Sequence, residues 1–248
     1  MLDLKSNLND HDLLTLGEIN SYLSNDFTYN INIFPEISST NTYILDNVNT
    51  LLDNTIIATE MQTAGRGRFA NTWHSDKAVG LTFSLLKFFN ININIETLPL
   101  VIAVAIKRLL QQYQIAAKIK WPNDICAIDG SKIAGILLEG GILNNQRYVI
   151  IGIGINDNFN IKRSLFLASL LKHLHHVINE FLCNGFTSLC NEWLDNCIHY
   201  NKSIGVYQNG NLVASGLNIG VSSSGAILVK TLENKILEYA SASIRFEI

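Results

Sequence analysis

The hydrophobic patterning of this chain changes at Lys202, and that change limits the folds open to it. Beyond Lys202, short alternating segments (204–207, 212–215, 227–230, 236–239 and 244–246) are separated by Asn209-Gly210, Gly216 and Ser224-Gly225. Alternation of period two between glycine turns marks half-buried strands. The C-terminal part is therefore predicted to be a small β-barrel or sandwich of about five strands.

Before Lys202, helical periods alternate with apolar runs. Residues 1–10 are polar and read as loose, and 11–24 read as a short amphipathic helix. Ile31, Ile33 and Pro35 indicate a strand that ends at a turn, and Ser38-Ser39-Thr40-Asn41 is an N-cap cluster opening a helix to Val48. Strands are expected over 55–60 and 80–88. A helix should run from Glu96 to Tyr113, with Pro99 in its first turn, where the missing N–H costs little. A strand over 117–121 stops at Pro122. Asp129-Gly130 is a hairpin signal joining a short strand near Ile125 to 132–139. A further turn at 143–146 leads into a buried strand over 148–155, and helices are expected at 164–183 and 187–200.

With 48% hydrophobic and 16% charged residues over 248 positions, the chain can bury a sizeable core, as one large domain or as a main domain plus a small one. Its formal charge of −3 argues against a general nucleic-acid binder, which needs a basic stripe. No apolar run reaches a membrane span; 98–106 is followed by Lys107 and Arg108. None of the four cysteines forms a C-x-x-C, and the N-terminus does not resemble a signal peptide, which points to reduced thiols in the cytoplasm. Cys183, Cys190 and Cys197 recur every seven residues, as small core residues on one helix face would.

Several segments carry chemistry. In Gln62-Thr63-Ala64-Gly65-Arg66-Gly67-Arg68, two planar cations alternate with two glycines after an apolar run. Arginine is fitted for bidentate contact with carboxylate or phosphate, and glycine lets the backbone approach a ligand. The segment reads as a mobile anion grip or as a solvated basic turn. Gly65 to Ala70 also fits the loose G-x-G-x-x-[GA] pattern, but 71–75 is no helix, so a dinucleotide site is not expected. The same holds for Gly152-Ile153-Gly154, where Asp157 stands at the third glycine's place. There is no G-x-x-x-x-G-K-[ST] phosphate loop. His173, His175 and His176 lack carboxylate or cysteine partners and read as a helix surface.

Lys120-Trp121-Pro122-Asn123-Asp124 ends a strand with an amide and a carboxylate. Asp124 could hold Mg²⁺ or simply cap a turn. Lys132 opens the buried run 132–139, where it either snorkels or faces an anion. Gly135 would let a ligand approach the strand. Asn156 ends another buried strand with an amide, and Trp73 could stack on a base.

Taken in order, Ser39-Thr40-Asn41, Gln62 to Arg68, Trp73, 120–124, 132–139 and 152–156 resemble the motifs S-T-N, Q-x-A-G-R-G-R, K-W-P-N-D, K-[LI]-A-G-I-L-x-E and G-x-G-[IV]-N of the biotin protein ligase family. The resemblance covers roughly residues 30 to 248. It implies an α+β fold like that of class II aminoacyl-tRNA synthetases: a mixed central sheet with helices on one face and the ligand on the other. It implies three parts, an N-terminal linker-helix segment (1–29), a catalytic biotin- and ATP-binding domain (30–200) and an SH3-like domain (201–248).

The activity the resemblance implies is ATP-dependent formation of biotinyl-5′-AMP, followed by biotin transfer to one lysine of the biotin carboxyl carrier domain of acetyl-CoA carboxylase. In the family, Ser39, Thr40, Asn41 and Gln62 would hold the ureido ring. Arg66, Gly67 and Arg68 would close over the carboxylate and phosphates, with Gly65 at the adenylate. Lys132 would contact the carboxylate and α-phosphate, and Gly135 would lie beside the biotin. Trp73, Asn123, Asp124 and Asn156 would serve the nucleotide, and Asp124 the Mg²⁺ that accompanies ATP. Lys132, Arg66 and Arg68 are the expected catalytic groups.

The sequence departs from some family members after Arg68, where Phe69-Ala70-Asn71-Thr72 stands in place of further basic and glycine residues. The segment before Ser39 is also too short for the winged helix of family members that repress the biotin operon, so specific DNA binding is not expected. Homodimerisation by paired sheet edges is a family habit that this sequence does not establish. Two alternatives remain: a lipoate or octanoate ligase of the same superfamily, and a non-catalytic biotin-sensing module. The first carries an arginine pair before a glycine cluster that is not seen here. The second has no need of both Lys132 and Arg68.

Overall fold

The computed structural model describes residues 12–24, 26–75, 79–157 and 159–246. The loose segment expected over 1–10 lies outside them. Contacts divide the chain into two compact units, one holding residues up to Asn92 together with Ala134–Lys172, the other Ile93–Ile133 and His173–Ile248.

The first unit is built on β1 (Asn30–Phe34), β2 (Thr55–Thr59), β3 (Leu81–Asn90), β6 (Lys132–Leu143, from Ala134 onward) and β7 (Gln146–Ile155). Their order is β1-β2-β3-β7-β6. β1 and β2 run parallel and the remaining pairs antiparallel, giving the expected mixed sheet. The central strands are apolar on both faces, as strands covered on both sides must be. The β6–β7 hairpin turns on Asn144 and Asn145 at φ 48° and 59°, a two-residue turn of positive φ that suits the twist of paired strands.

Helix α2 (Thr40–Asn47) begins where the N-cap cluster predicts. The Ser39 hydroxyl accepts from the Thr42 N–H at 3.3 Å. Ile44 and Val48 pack against Ile57, Leu86 and Ile150 of the sheet. Helix α1 (Leu16–Tyr22) is shorter than the expected 11–24. Thr15 is extended and caps it, while Asp12 and Leu14 are drawn into tertiary hydrogen bonds instead. Helix α4 (Arg163–Asn184) starts in this unit, with Phe166, Leu167, Leu170 and Leu171 fully buried.

The second unit contains α3 (Leu98–Gln112), the hairpin of β4 (Lys118–Lys120) and β5 (Asp124–Cys126), α5 (Thr187–Asn196) and the C-terminal strands. Its C-terminal sheet is antiparallel and five-stranded, as expected. Its order is β11 (Ile236–Tyr239), β10 (Ile227–Lys230), β9 (Asn211–Val221), β8 (Ser203–Gln208), β12 (Ser243–Phe246). Ile204, Val206, Ile227, Val229 and Ile244 supply its buried face, and Asn209-Gly210, both at positive φ, turns β8 into β9. Arg108 of α3 binds Glu192 through Nε and Nη2 at 2.9 and 2.6 Å and Glu180 through Nη1 at 3.1 Å, tying α3 to α5 and α4.

The cysteine spacing does not describe one helix. Gly185, at φ +70°, ends α4, so Cys183 and Cys190 lie on different helices and Cys197 caps the second. Of the three, Cys197 is buried as expected, but Cys190 is half-buried and Cys183 exposed; Cys126 is also buried. The histidines 173, 175 and 176 do lie along α4. Among the described residues no helix is long and apolar enough to cross a membrane.

Candidate functional site

Beyond Phe34 and Thr59 the parallel β1–β2 pairing is prolonged by loop backbone. The N–H of Ile37 reaches the Met61 carbonyl at 3.1 Å, that of Thr63 the Ile37 carbonyl at 3.0 Å, and that of Ala64 the Ser38 carbonyl at 2.8 Å. This zipper sets Gln62 beside the N-terminus of α2. Gln62 Oε1 accepts from the Thr40 N–H at 2.8 Å and from its hydroxyl at 3.1 Å. With its oxygen taken, the glutamine presents its amide N–H₂ end to a ligand.

From Thr40 the polar chain continues inward. The Ser84 hydroxyl of β3, fully buried, lies 2.6 Å from Thr40 Oγ1 and 2.5 Å from Asn41 Oδ1. Asn41 Nδ2 donates to Glu139 Oε2 at 2.8 Å, and the same oxygen receives Arg66 Nη2 at 2.8 Å. The result is a rack of hydrogen bonds from Gln62 to Arg66. Both polar ends of Asn41 are engaged within the protein, so it acts here as a brace between α2, β3 and β6. The Arg66–Glu139 pair is partly solvated, the side chains being 44% and 24% exposed. An ion pair that open contributes about 0–1 kcal/mol, so an incoming carboxylate can take Glu139's place on the guanidinium.

Glycines make the floor. In register, Ser84 faces Gly152 and Thr82 faces Gly154 across β3–β7, while Gly135 faces Gly154 across β7–β6. A Cβ on Gly152 would meet Asn41 Oδ1 at 2.3 Å, and one on Gly154 would meet Trp73 Cζ2 at 2.1 Å. The bare backbone of β7 thus admits Asn41 at one residue and the Trp73 indole at the other. Because paired residues project from the same face, this floor lies on the side of the sheet that carries α2. The N-terminus of α2 borders this floor through Thr40 and Asn41.

The Gly65–Trp73 segment is not an open loop. Arg66 and Thr72 form an antiparallel bridge, the Trp73 N–H reaches the Gly65 carbonyl at 2.9 Å, and the Gly67 N–H reaches that of Asn71 at 2.7 Å. A single helical turn, Arg68–Ala70, closes this small hairpin. Phe69 stands at φ 55° with its side chain exposed, and the Arg68 guanidinium lies 4.7 Å from its ring centroid. Positive φ is strained for a bulky residue, and the cation–π contact offsets part of that strain. Arg66 therefore joins the polar rack, whereas Arg68 covers its own neighbour. Gly65 is fixed by crowding, since a Cβ there would meet the Trp73 carbonyl at 2.5 Å and Gln62 Nε2 at 2.7 Å.

The remaining expected residues are placed as follows. Gly135 is buried in β6, and Asn156 is exposed just past the end of β7. Asn123, Asp124 and Lys132 belong to the second unit. There the Trp121 indole N–H donates to the Gly225 carbonyl at 2.9 Å, and Lys132 Nζ binds Asp124 Oδ1 at 2.8 Å. Asp124 is thus already held by an ammonium. Among the described residues no group of three or more His, Cys, Asp or Glu side chains converges as metal ligands would. To serve a Mg²⁺ brought by a nucleotide, Asp124 would have to exchange this partner.

Two members of the rack escaped the sequence reading. Glu139 closes the 132–139 motif but had no role assigned. Ser84 is, with Thr82, a polar residue within the otherwise apolar strand 81–86, a signal for an inward hydrogen bond.

The family model described as "Biotin/lipoate A/B protein ligase family" matches residues 33–156, which contain Thr40, Asn41, Gln62, Arg66, Ser84, Glu139 and Gly154. The chain belongs to this family. It is 28% identical over 245 residues to the bifunctional ligase/repressor BirA of Salmonella typhimurium, covering 88% of this chain and 74% of the relative. With the BirA of Bacillus spizizenii the identity is 31%, covering 73% of this chain and 63% of the relative. Among solved structures, the biotin protein ligase of Aquifex aeolicus in complex with biotin and ATP is similar at a TM-score of 0.74 and 25% identity, over 89% of this chain and all of that one. The fold is thus biotin protein ligase-like, with a mixed sheet and a second, antiparallel five-stranded sheet at the C-terminus.

Proposed function

We propose that this chain is a biotin–protein ligase. It would join biotin to ATP as biotinyl-5′-AMP and pass the biotinyl group to a lysine of a biotin carboxyl carrier domain. The observation that carries this reading is the hydrogen-bonded rack from Gln62 to Arg66 over a glycine floor. It offers neutral amide and hydroxyl groups at one end and an exchangeable guanidinium at the other. Such a surface suits a substrate with a urea-like head and a carboxylate tail. The Aquifex relative, similar over nearly the whole chain, binds biotin and ATP.

In the first step the biotin carboxylate oxygen forms a bond to the α-phosphorus of ATP, and the bond to pyrophosphate breaks. The substrate carries its own nucleophile, so the protein needs none. Its task is to hold two anions in line and absorb charge at the phosphorus, which positioning and electrostatics can supply. Arg66 would exchange Glu139 for the substrate carboxylate, and Lys132 would exchange Asp124 for the α-phosphate. Trp73, packed against Gly154, would support the adenine. Mg²⁺ would enter as the ATP complex, shielding phosphate charge. In the second step the carrier lysine amine attacks the acyl carbonyl; AMP departs and the nitrogen loses its proton. The hairpin at Gly65–Trp73 would exclude water from the anhydride between the two steps.

The test is isotope exchange between ATP and pyrophosphate in the presence of biotin, followed by labelling of a carrier domain. Exchange with biotin and single-lysine labelling are expected. Exchange with lipoate or octanoate in place of biotin would move the chain to the other branch of its family. Biotin binding without exchange would make it a sensor.

A further inference from the structure

Arg163 opens α4 and is 1% exposed, yet its guanidinium serves three separate segments. Its Nη1 pairs with Glu60 Oε2 and also donates to the Asp12 carbonyl at 3.0 Å, while its Nε donates to the Gly80 carbonyl at 2.7 Å. Glu60, 5% exposed, uses its other oxygen to accept the Leu14 N–H at 2.7 Å. The backbone N–H of Arg163 donates to the Asp12 carboxylate at 2.7 Å, and the Thr15 N–H reaches Ser164 Oγ at 3.2 Å.

The positions of these partners give the cluster its meaning. Glu60 is the first residue after β2, and Gly80 is the last before β3. The connection between those two strands carries Gln62, Arg66 and Trp73. The last Cα pairing between β2 and β3 is Thr59 with Thr82, so backbone pairing stops where the connection begins. Arg163 ties its two roots together just beyond that point. Gly80 packs closely against the end of β7, since a Cβ there would sit 2.1 Å from the Ile155 carbonyl oxygen. The planar, multiply donating head of arginine can serve these directions at once, which a lysine ammonium on its flexible stem cannot do with equal geometry. A buried ionised pair is also weak evidence for stability alone.

We propose that Arg163 is a positioning residue for the ligase reaction. Through Glu60 and Gly80 it fixes the roots of the segment bearing Gln62, Arg66 and Trp73, and the chain segment 12–15 completes the clamp through Asp12 and Leu14. The proposal deepens the functional reading above and rests on it for its kinetic part. Its structural part stands separately: the mobility of 61–75 is set by a cluster in which none of the ligand residues takes part.

The experiment compares the full chain with Arg163→Lys, Asp12→Ala and a control, Val229→Ala, which opens a cavity in the C-terminal sheet. Backbone hydrogen exchange is followed by peptide, and kcat and KM for biotin are measured in ATP–pyrophosphate exchange. For Arg163→Lys, amides in 61–75 should exchange at least tenfold faster, those of β7 and β8–β10 should stay within twofold, and KM for biotin should rise about tenfold with kcat changed less. Asp12→Ala, at a half-buried site, should loosen 61–75 about threefold and decides the matter if Arg163→Lys does not fold. Wild-type protection of 61–75 in the folded variants would overturn the proposal. So would a general loosening like that of the control. Absence of biotin-dependent exchange in the unaltered chain would instead overturn the functional reading, and hydrogen exchange would still judge the clamp.

Discussion

Gly154→Ala tests the role proposed for Trp73 at the nucleotide most directly. The added Cβ would lie 2.1 Å from Trp73 Cζ2 and 2.3 Å from Cε2. Carbon atoms pack at about 3.5–4.0 Å, so the indole must retreat by about 1.5 Å. Forcing an extra methyl into a packed position costs about 1–3 kcal/mol. Trp73 is half-buried and sits on a hairpin, whereas Gly154 lies in a central strand, so the ring yields and the sheet does not. The cost then appears in ligand binding rather than in folding. Converted at 1.4 kcal/mol per decade, it raises KM for ATP by about 5- to 150-fold. Thermal stability should fall by no more than about 2–4 °C, the shift that 1 kcal/mol produces in a chain this large. Trp121 and Trp193, the other two tryptophans, are buried, so a red shift in emission reports Trp73 alone. A moved indole with an unchanged KM for ATP would refute the role of Trp73. An unchanged emission spectrum would refute the contact itself.

Other expectations follow from the same geometry. Lys132→Ala should retain biotin binding in calorimetry but lose most adenylate formation; an unchanged exchange rate would remove Lys132 from the reaction. Arg68→Gly should loosen the hairpin over the adenylate and permit labelling of non-carrier lysines, scored by streptavidin blotting against bystander proteins. Glu139→Ala removes the acceptor shared by Asn41 and Arg66 and should raise KM for biotin about tenfold, the effect of losing roughly 1.4 kcal/mol of positioning; a lower KM would mean that Glu139 acts only as a competitor for Arg66. His199 supplies a pH expectation: burial, with a smaller push from Lys120, lowers its pKa to about 4 from 6.5. The folded chain resists protonation that the unfolded chain accepts, so stability is full above pH 6.5 and declines as pH falls towards 4. The loss reaches about 3 kcal/mol at its limit, and His199→Phe should flatten that part of a denaturation-versus-pH curve.

Much of this architecture was legible because local chemistry and tertiary demand agree. Ser39 caps α2 because its hydroxyl has a backbone N–H three residues on. Asn144-Asn145 and Asn209-Gly210 turn because these residues accept positive φ. The apolar runs of β3 and β7 form buried strands because both faces are covered. The ordered motifs pointed to the right family for the same reason: each is a short stretch whose chemistry is carried by neighbouring residues. The reading failed where a residue's role depends on a distant partner. The seven-residue cysteine spacing looked helical, but Gly185 breaks the helix. Residues 12–15 looked helical, but Glu60 and Arg163 draw their polar groups away.

The segment from Gln62 to Arg68 shows the division clearly. Residue types alone determined that it could grip an anion and that its glycines allow close approach. Only the tertiary structure decided that it closes as a hairpin, that Arg66 turns to Glu139, and that Arg68 lies over Phe69. The physical reason is range. Backbone preference and side-chain chemistry act within a few residues, whereas Glu139, Ser84, Gly154 and Arg163 are brought to this segment only when the sheet is assembled.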